Sequence, residues 1–162
     1  MAKLPRPPER MLRMAKIYIA SSWKNQHAVE MLTALLRDRG HEIFSFVENN
    51  HGEQSGHVAL DKSKKEIPFD EWVMSERGRA SFVYDTDGAT KSEMVIYISP
   101  SGADAWAEVG AAWAAGAIIL GLWSKGEQCG LMRRMITWFD DYKKLLACVD
   151  EWFPAPTPEP KP

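Results

Sequence analysis

The chain alternates short β-rich runs with stretches whose apolar positions recur at helical spacing. Lys16–Ala20 (KIYIA) is the first β-rich run. Asn25 can cap the helix that follows, in which Ala28, Val29, Leu32, Leu35 and Leu36 share one face, and Gly40 sits where a helix-ending glycine belongs. Glu42–Val47 (EIFSFV) reads as the second strand. The segment from Glu48 to Glu66 is too polar to pack and contains Gly52 and Gly56, which predicts an exposed, mobile loop. A helix is expected from Phe69 to about Ala80, opened by Pro68. Met94–Ile98 (MVIYI) is the third strand, and an alanine-rich helix from Asp104 to Ala115 follows it. That helix is nearly all small and apolar, so it should be largely buried. Ala117–Trp123 is the fourth strand, Leu131–Met135 a short helix, and Ile136–Phe139 a weak fifth strand. Asp140 or Asp141 then opens a last helix with Tyr142, Leu145, Leu146, Val149 and Trp152 on one side.

Strands that alternate with helices form a parallel sheet covered on both faces. The right-handed crossover rule leaves few topologies. The pattern predicts a three-layer flavodoxin-like (Rossmann-like) α/β domain over residues 14–153, with a five-stranded, mainly parallel sheet in the order 2-1-3-4-5. Residues 1–13, rich in proline and arginine, read as a flexible segment, and residues 154–162 as a proline-rich solvated tail.

Composition narrows the function. The 162 residues, 45% hydrophobic and 26% charged, suit one globular domain with a real core. A formal charge of −2 provides no global field for nucleic acid or an anionic membrane, so neither is expected as a partner. The longest apolar run, Ala111–Trp123, is interrupted by Gly116 and Gly121 and is too short to span a bilayer. The opening MAKLPRPPER has no apolar stretch and does not read as a secretory signal. Cys129 and Cys148 are too few for a disulfide framework or a zinc site, so they are expected to be reduced thiols in a cytoplasmic protein. Seven tryptophans suggest that some line a pocket or an interface.

In doubly wound sheets, ligands bind beyond the carboxyl ends of the strands, where the strand order reverses. That rule selects the turns after Ala20 and after Ile98. They read Ser21-Ser22-Trp23-Lys24-Asn25-Gln26 and Ser99-Pro100-Ser101-Gly102-Ala103-Asp104. Both are rich in small hydroxyl residues and lead into helices, whose first turns attract anions and hydroxyl-bearing ligands. Neither matches a Walker loop or a dinucleotide fingerprint, and serine-capped turns read equally as ordinary strand-to-helix connections. Glu108 stands one turn into the small-residue helix. A carboxylate there either faces solvent or is aimed into the ligand crevice as a nucleophile or a binder of sugar hydroxyls. Asp85 and Asp87, in the run Phe82–Gly88, offer a second carboxylate for acid–base work or form a polar turn or helix cap. None of His27, His41, His51 and His57 falls in a metal-ligand spacing, and His51 and His57 read as surface residues. No metal or other cofactor is expected, and no serine has a nucleophile-elbow context.

The segments Lys16–Asn25 and Ser99–Gly116 resemble the nucleoside 2-deoxyribosyltransferase-like family. That family opens with a lysine–aliphatic–tyrosine strand and a small-residue turn. Its signature helix carries glutamate, any residue, then glycine, which Glu108-Val109-Gly110 matches, and Ala114-Ala115-Gly116 matches the end of the motif. The resemblance extends over Phe82–Glu93, where a Phe-x-x-Asp-x-Asp run precedes an acidic residue and the third strand. It therefore touches most of residues 16–123, with a weaker echo in Leu131–Met135 and the last helix.

The resemblance implies cleavage or transfer at the N-glycosidic bond of a nucleoside or nucleoside 5′-monophosphate through a covalent glycosyl-glutamate. It makes Glu108 the nucleophile, Asp85 the acid that handles the proton of the base, and Tyr18 the group that orients glutamate or sugar. Ser21, Ser22 and Trp23 would line the base side. Ser99, Ser101 and Gly102 would lie near the sugar or a 5′-phosphate. Transferase members often carry an aspartate six residues before the glutamate. Here that position is Gly102, so the sugar-binding carboxylate is missing unless Asp104 replaces it, which favours the nucleotide-hydrolysing branch. The resemblance also implies a homodimer or higher homo-oligomer, because relatives commonly complete the pocket with a neighbouring subunit. A non-catalytic nucleotide-binding or signalling module and an NAD-cleaving glycohydrolase on a similar fold remain the alternatives.

Overall fold

The computed structural model describes residues 14–49, 68–128 and 130–154. The segment before Met14, the polar stretch with His51 and His57, Cys129 and the prolines beyond Pro154 lie outside the described residues.

Five strands form one sheet: β1 (Lys16–Ala20), β2 (Glu42–Ser45), β3 (Met94–Ile98), β4 (Ile118–Leu122) and β5 (Thr137–Phe139). Their order is β2-β1-β3-β4-β5. Every pairing is parallel, so the sheet is wholly rather than mainly parallel. Among the described residues six α-helices connect and cover it: α1 (Gln26–Arg37), α2 (Phe46–Asn49), α3 (Phe69–Met74), α4 (Glu76–Lys91), α5 (Ala103–Ala114) and α6 (Tyr142–Trp152). The predicted flavodoxin-like order is therefore the observed one.

Alternation along the strands divides the core in two. Ile17, Ile19, Met94, Ile96 and Leu120 meet Val29, Leu32 and Leu36 of α1 and Leu145, Leu146 and Val149 of α6. Tyr18, Ala20, Val95, Tyr97 and Ile119 face the other way, with Ala89 of α4 and Ala105, Val109 and Ala112 of α5. A single-residue slip of β1 would exchange these two sets, so burial on both faces fixes the register. On α6, Tyr142 is exposed and Cys148 is buried as a free thiol, so the apolar face is displaced from the one the spacing predicts.

The structure corrects the expected elements at three places and the burial of a fourth. The second strand ends at Ser45, and Phe46–Asn49 turns into a helix. Ile43, Phe46 and Val47 all join the same core. A continuing strand would have put Phe46 and Val47 on opposite faces. The helix expected over Phe69–Ala80 breaks at Ser75, whose extended backbone ends α3 and caps α4. Ser75 Oγ accepts from the Gly78 N–H at 3.0 Å and donates to the Trp72 carbonyl at 2.6 Å. The run Phe82–Gly88, read as a polar turn or cap, lies inside α4. Thr86 and Thr90 would weaken a helix if their hydroxyls competed for the backbone, but each bonds a carbonyl of its own helix. Finally, α5 is less buried than its composition suggests. Ala105, Val109 and Ala112 are buried, whereas Ala107, Trp113 and Ala114 are exposed.

Glycine at position 121 sets the packing beside α5. A Cβ there would lie 2.6 Å from Ile136 Cγ2 and 3.0 Å from the Trp138 ring. Its absence lets Trp138 lie across the sheet against Tyr97, with ring centroids 5.8 Å apart.

Candidate active site

The site is assembled where α4 and α5 pass over β1. Tyr18 points from the middle of β1 toward these helices and is fully buried. Its approach to α4 depends on Gly88, where a Cβ would stand 2.5 Å from Tyr18 Cδ2. Asp85, almost one helical turn before Gly88, accepts a hydrogen bond from the Tyr18 hydroxyl at 3.2 Å. Glu108, on α5, also interacts with that hydroxyl. The three catalytic candidates named from sequence therefore converge on one point. Asp104 in the first turn of α5 lies close enough for its charge to act on both Asp85 and Glu108. Asp87 pairs instead with Lys91 at 2.7 Å on the outside of α4.

Electrostatics distinguishes this cluster. Burial, reinforced by the charge of Asp85, raises the Glu108 carboxyl from 4.5 to about 8. Burial also raises Asp85 from 3.8 to about 6, opposed by the hydrogen bond from Tyr18. The Tyr18 phenol is pushed far above its ordinary value, first by burial and then by the charges of Glu108 and Asp85, so it stays neutral. Between about pH 6 and 8 the two carboxyls hold one proton between them. A buried pair of this kind, with shifted and separated affinities, can combine a nucleophile or base with an acid. Glu108 Oε2, Ser22 Oγ and Ser101 Oγ are buried without a hydrogen-bond partner in the protein. Such atoms are uncommon in folded proteins; three of them lie on Glu108 and the two selected turns, and others, such as Thr33 Oγ1 and His41 Nε2, lie elsewhere in the fold.

The turn residues divide by role. Ser21 Oγ donates to the Ile98 carbonyl at 2.9 Å. Ser99 Oγ donates to the Leu122 carbonyl at 2.8 Å and accepts from the Ser124 N–H at 2.7 Å. Both hydroxyls are engaged in joining strand ends. Trp23 is 39% exposed and sits edge-on to Phe46, centroids 5.1 Å apart, so one apolar wall is open to a planar ligand. Gly102 and Asp104 are exposed at the start of α5. Among the described residues there is no cluster of three or more His, Cys, Asp or Glu able to hold a metal ion.

Sequence reasoning missed two groups. Asn25 occupies the cap position of α1 but makes no cap bond. Its amide donates to Ser21 Oγ (3.0 Å), the Ile98 carbonyl (3.3 Å) and the Pro100 carbonyl (2.9 Å), tying the first turn to the third. Glu127, in the turn after β4, accepts from the Tyr97 hydroxyl at 2.8 Å and from Trp106 Nε1 at 3.2 Å. The carboxyl-edge rule that selected the other turns would have selected this one too. A groove of about 680 Å³ also runs along α4 past Phe44 and Lys16, but Tyr18, Asp85 and Glu108 do not line it.

No protein-family model matches the chain, and no curated protein matches its sequence. Solved structures do match its fold. One is a 2-deoxyribosyltransferase from Bacillus psychrosaccharolyticus, 24% identical, with a TM-score of 0.59 over 81% of this chain and 90% of that one. Another is a CMP N-glycosidase from Clostridium botulinum, 16% identical, with a TM-score of 0.50 over 83% of this chain and 97% of that one. At these identities the likeness establishes a shared fold, the one drawn from the strand pattern. Among the described residues no helix is long and apolar enough to cross a membrane.

Proposed function

We propose that the protein is an N-glycosyl hydrolase or transferase of the nucleoside 2-deoxyribosyltransferase-like family, acting on nucleosides or nucleoside 5′-monophosphates. The observation that carries this reading is the convergence of Asp85 and Glu108 on the Tyr18 hydroxyl. The fold is shared with a deoxyribosyltransferase and a CMP N-glycosidase, and the motif around Glu108 supports the same chemistry.

In the first step a Glu108 carboxylate oxygen bonds to the anomeric carbon. The carbon–nitrogen bond breaks, its electron pair goes to the base, and Asp85 supplies the proton the base takes up. In the second step water, or a second base, attacks the same carbon and Glu108 leaves as carboxylate, while Asp85 accepts the proton released. The acidic surroundings favour the positive charge that develops on the sugar. Tyr18 holds both carboxyls in register. Trp23 and Ser22 face the base, Ser101, Gly102 and Asp104 border the sugar and its 5′ substituent, and Ser21 and Ser99 shape the turns.

The test is a mass-spectrometric screen for free base from nucleosides, nucleoside 5′-monophosphates and NAD. The wild type releases base and Glu108→Ala does not. Release that persists in the variant rejects the reading, and nicotinamide release from NAD alone replaces the substrate class. The reading includes self-association. Trp113, Leu131 and Met132 are 58%, 74% and 61% exposed, on α5 and on the Leu131–Met135 turn that packs against it. Light scattering is expected to give at least twice the mass of one chain, and a monomer rejects that part.

A further inference from the structure

Glu127 lies outside the cluster just described, yet it holds the helix on which Glu108 stands. One carboxylate oxygen accepts from the Tyr97 hydroxyl at 2.8 Å and the other from Trp106 Nε1 at 3.2 Å. Three elements meet there: β3 through Tyr97, α5 through Trp106 and the turn after β4 through Glu127 itself. Tyr97 is fully buried, and its phenol also interacts with the backbone of Ser101. Burial and the bond to Glu127 both raise the phenol above its ordinary value, so it remains a donor. The rings of Tyr97 and Trp106 lie 4.9 Å apart at the centroids, and Trp138 closes the cluster on a third side.

Helix geometry converts this clamp into an effect on Glu108. Trp106 and Glu108 are two residues apart, about 200° around the helix, so they leave α5 on nearly opposite sides. A side chain fixed on one side sets the direction of the other. With the Glu108 carboxyl about 6 Å from the axis, a rotation of about 10° displaces it by about 1 Å. A displacement of that size can reduce a rate about 100-fold. The contacts of α5 with the sheet are small, through Ala105, Val109 and Ala112, and small side chains resist rotation poorly.

We propose that Glu127 is a positioning residue, which through Trp106 and Tyr97 fixes the rotation of α5 that aims Glu108 at Tyr18. The kinetic part rests on Glu108 being the reacting carboxylate, and the geometric part does not.

The experiment uses the full chain carrying Glu127→Ala, Glu127→Gln, Trp106→Phe and the Glu127→Ala/Trp106→Phe pair, with circular dichroism to confirm folding. Three quantities are read: kcat and KM for base release, and the titration of the Glu108 carboxyl by carbon NMR, assigned by its loss in Glu108→Gln. Glu127→Ala is expected to lower kcat by about 10- to 100-fold with KM little changed. Its Glu108 titration should move from near 8 back toward 4.5 as the carboxyl turns toward water. Glu127→Gln should restore both, because its amide can accept from Trp106 and donate to the Tyr97 oxygen. Trp106→Phe should reproduce the Glu127→Ala loss, and the pair should lose no more than either alone. A folded Glu127→Ala with wild-type kcat and an unmoved Glu108 titration overturns the proposal, as does full additivity in the pair. If Glu127→Ala does not fold, Tyr97→Phe decides in its place: it removes only the hydroxyl that bonds Glu127 and keeps the ring, and wild-type kcat with an unmoved Glu108 titration in that variant overturns the proposal. Base release that survives Glu108→Ala rejects the proposed function instead, and the NMR titration then still decides whether Glu127 sets the helix.

Discussion

Glu108→Gln should make the protein inactive in base release and, above pH 8, more stable. In the fold the Glu108 carboxyl is held at about 8 against an ordinary 4.5, chiefly by burial. The folded state therefore binds this proton more tightly than the unfolded chain does. Between pH 4.5 and 8 the native protein carries more protons than the unfolded one, so stability falls as pH rises. Above 8 the loss is complete and the curve flattens. At about 1.4 kcal/mol for each tenfold in proton affinity, the full difference has an upper bound of about 5 kcal/mol. Part of it comes from the nearby charge of Asp85, and the amide still leaves a buried polar group to satisfy. The expected net gain at pH 9 is about 1–3 kcal/mol, or about 2–12 °C in melting temperature for a domain of this size. At pH 4 the two proteins should differ little, because the carboxyl is protonated in both states. The assay is thermal unfolding by circular dichroism at pH 4, 6, 7.5 and 9. A constant difference across that range, or a variant less stable at pH 9, would refute the reasoning, since either would mean that Glu108 carries no buried charge.

Base release should peak between about pH 6 and 8, where the Asp85–Glu108 pair holds one proton, and a rate flat from pH 5 to 9 would exclude the pair as the titrating unit. Gly88→Ala should cost about 1–3 kcal/mol in a urea melt, because its Cβ would meet the buried Tyr18 ring at 2.5 Å and the ring has nowhere to withdraw. Asn25→Ala should cost about 1–2 kcal/mol and raise KM more than it lowers kcat, since the amide joins the two turns that border the ligand rather than the reacting groups. An unchanged KM in a folded Asn25→Ala variant would show that the joint is structural alone.

The layers of the fold were legible because burial on both faces leaves nearly continuous apolar runs, such as MVIYI in β3, that only a covered parallel strand explains. The rule that ligands gather beyond the carboxyl edge points to the turns after β1 and β3, and the Asn25 amide joins those two turns in the structure. Less legible was α4. Its exposed Phe82 and Val83, its threonines and Gly88 give no clear apolar stripe, because the helix rests on Tyr18 through a glycine and not through a row of large side chains. The break at Ser75 was hidden for a related reason. A serine inside an apparently continuous helical run signals a cap only when the chain bends there. Asn25 shows the opposite failure: its cap position was legible, but its amide bonds residues more than seventy positions away, which local spacing cannot reveal.

One tension in the site bears directly on the mechanism. Burial raises the Glu108 carboxyl further than that of Asp85, which favours the shared proton on Glu108 in the free protein. The proposed chemistry needs the reverse, a charged Glu108 and a protonated Asp85. Tyr18 is the group that can reconcile them, because its hydroxyl bonds Asp85, interacts with Glu108 and stays neutral through its high proton affinity. If Glu108 donates to the phenol oxygen while the phenol donates to Asp85, one proton crosses from Glu108 to Asp85 and Tyr18 is unchanged. A bound nucleoside would favour that exchange from both ends. Positive charge growing on the sugar stabilises the Glu108 carboxylate, and the lone pair growing on the base stabilises a proton on Asp85. On this reading the resting protonation state is a safeguard: Glu108 becomes nucleophilic only when a ligand with a sugar on one side and a base on the other occupies the crevice. It also explains why a phenol, and not an aliphatic side chain of similar size, fits the centre of β1.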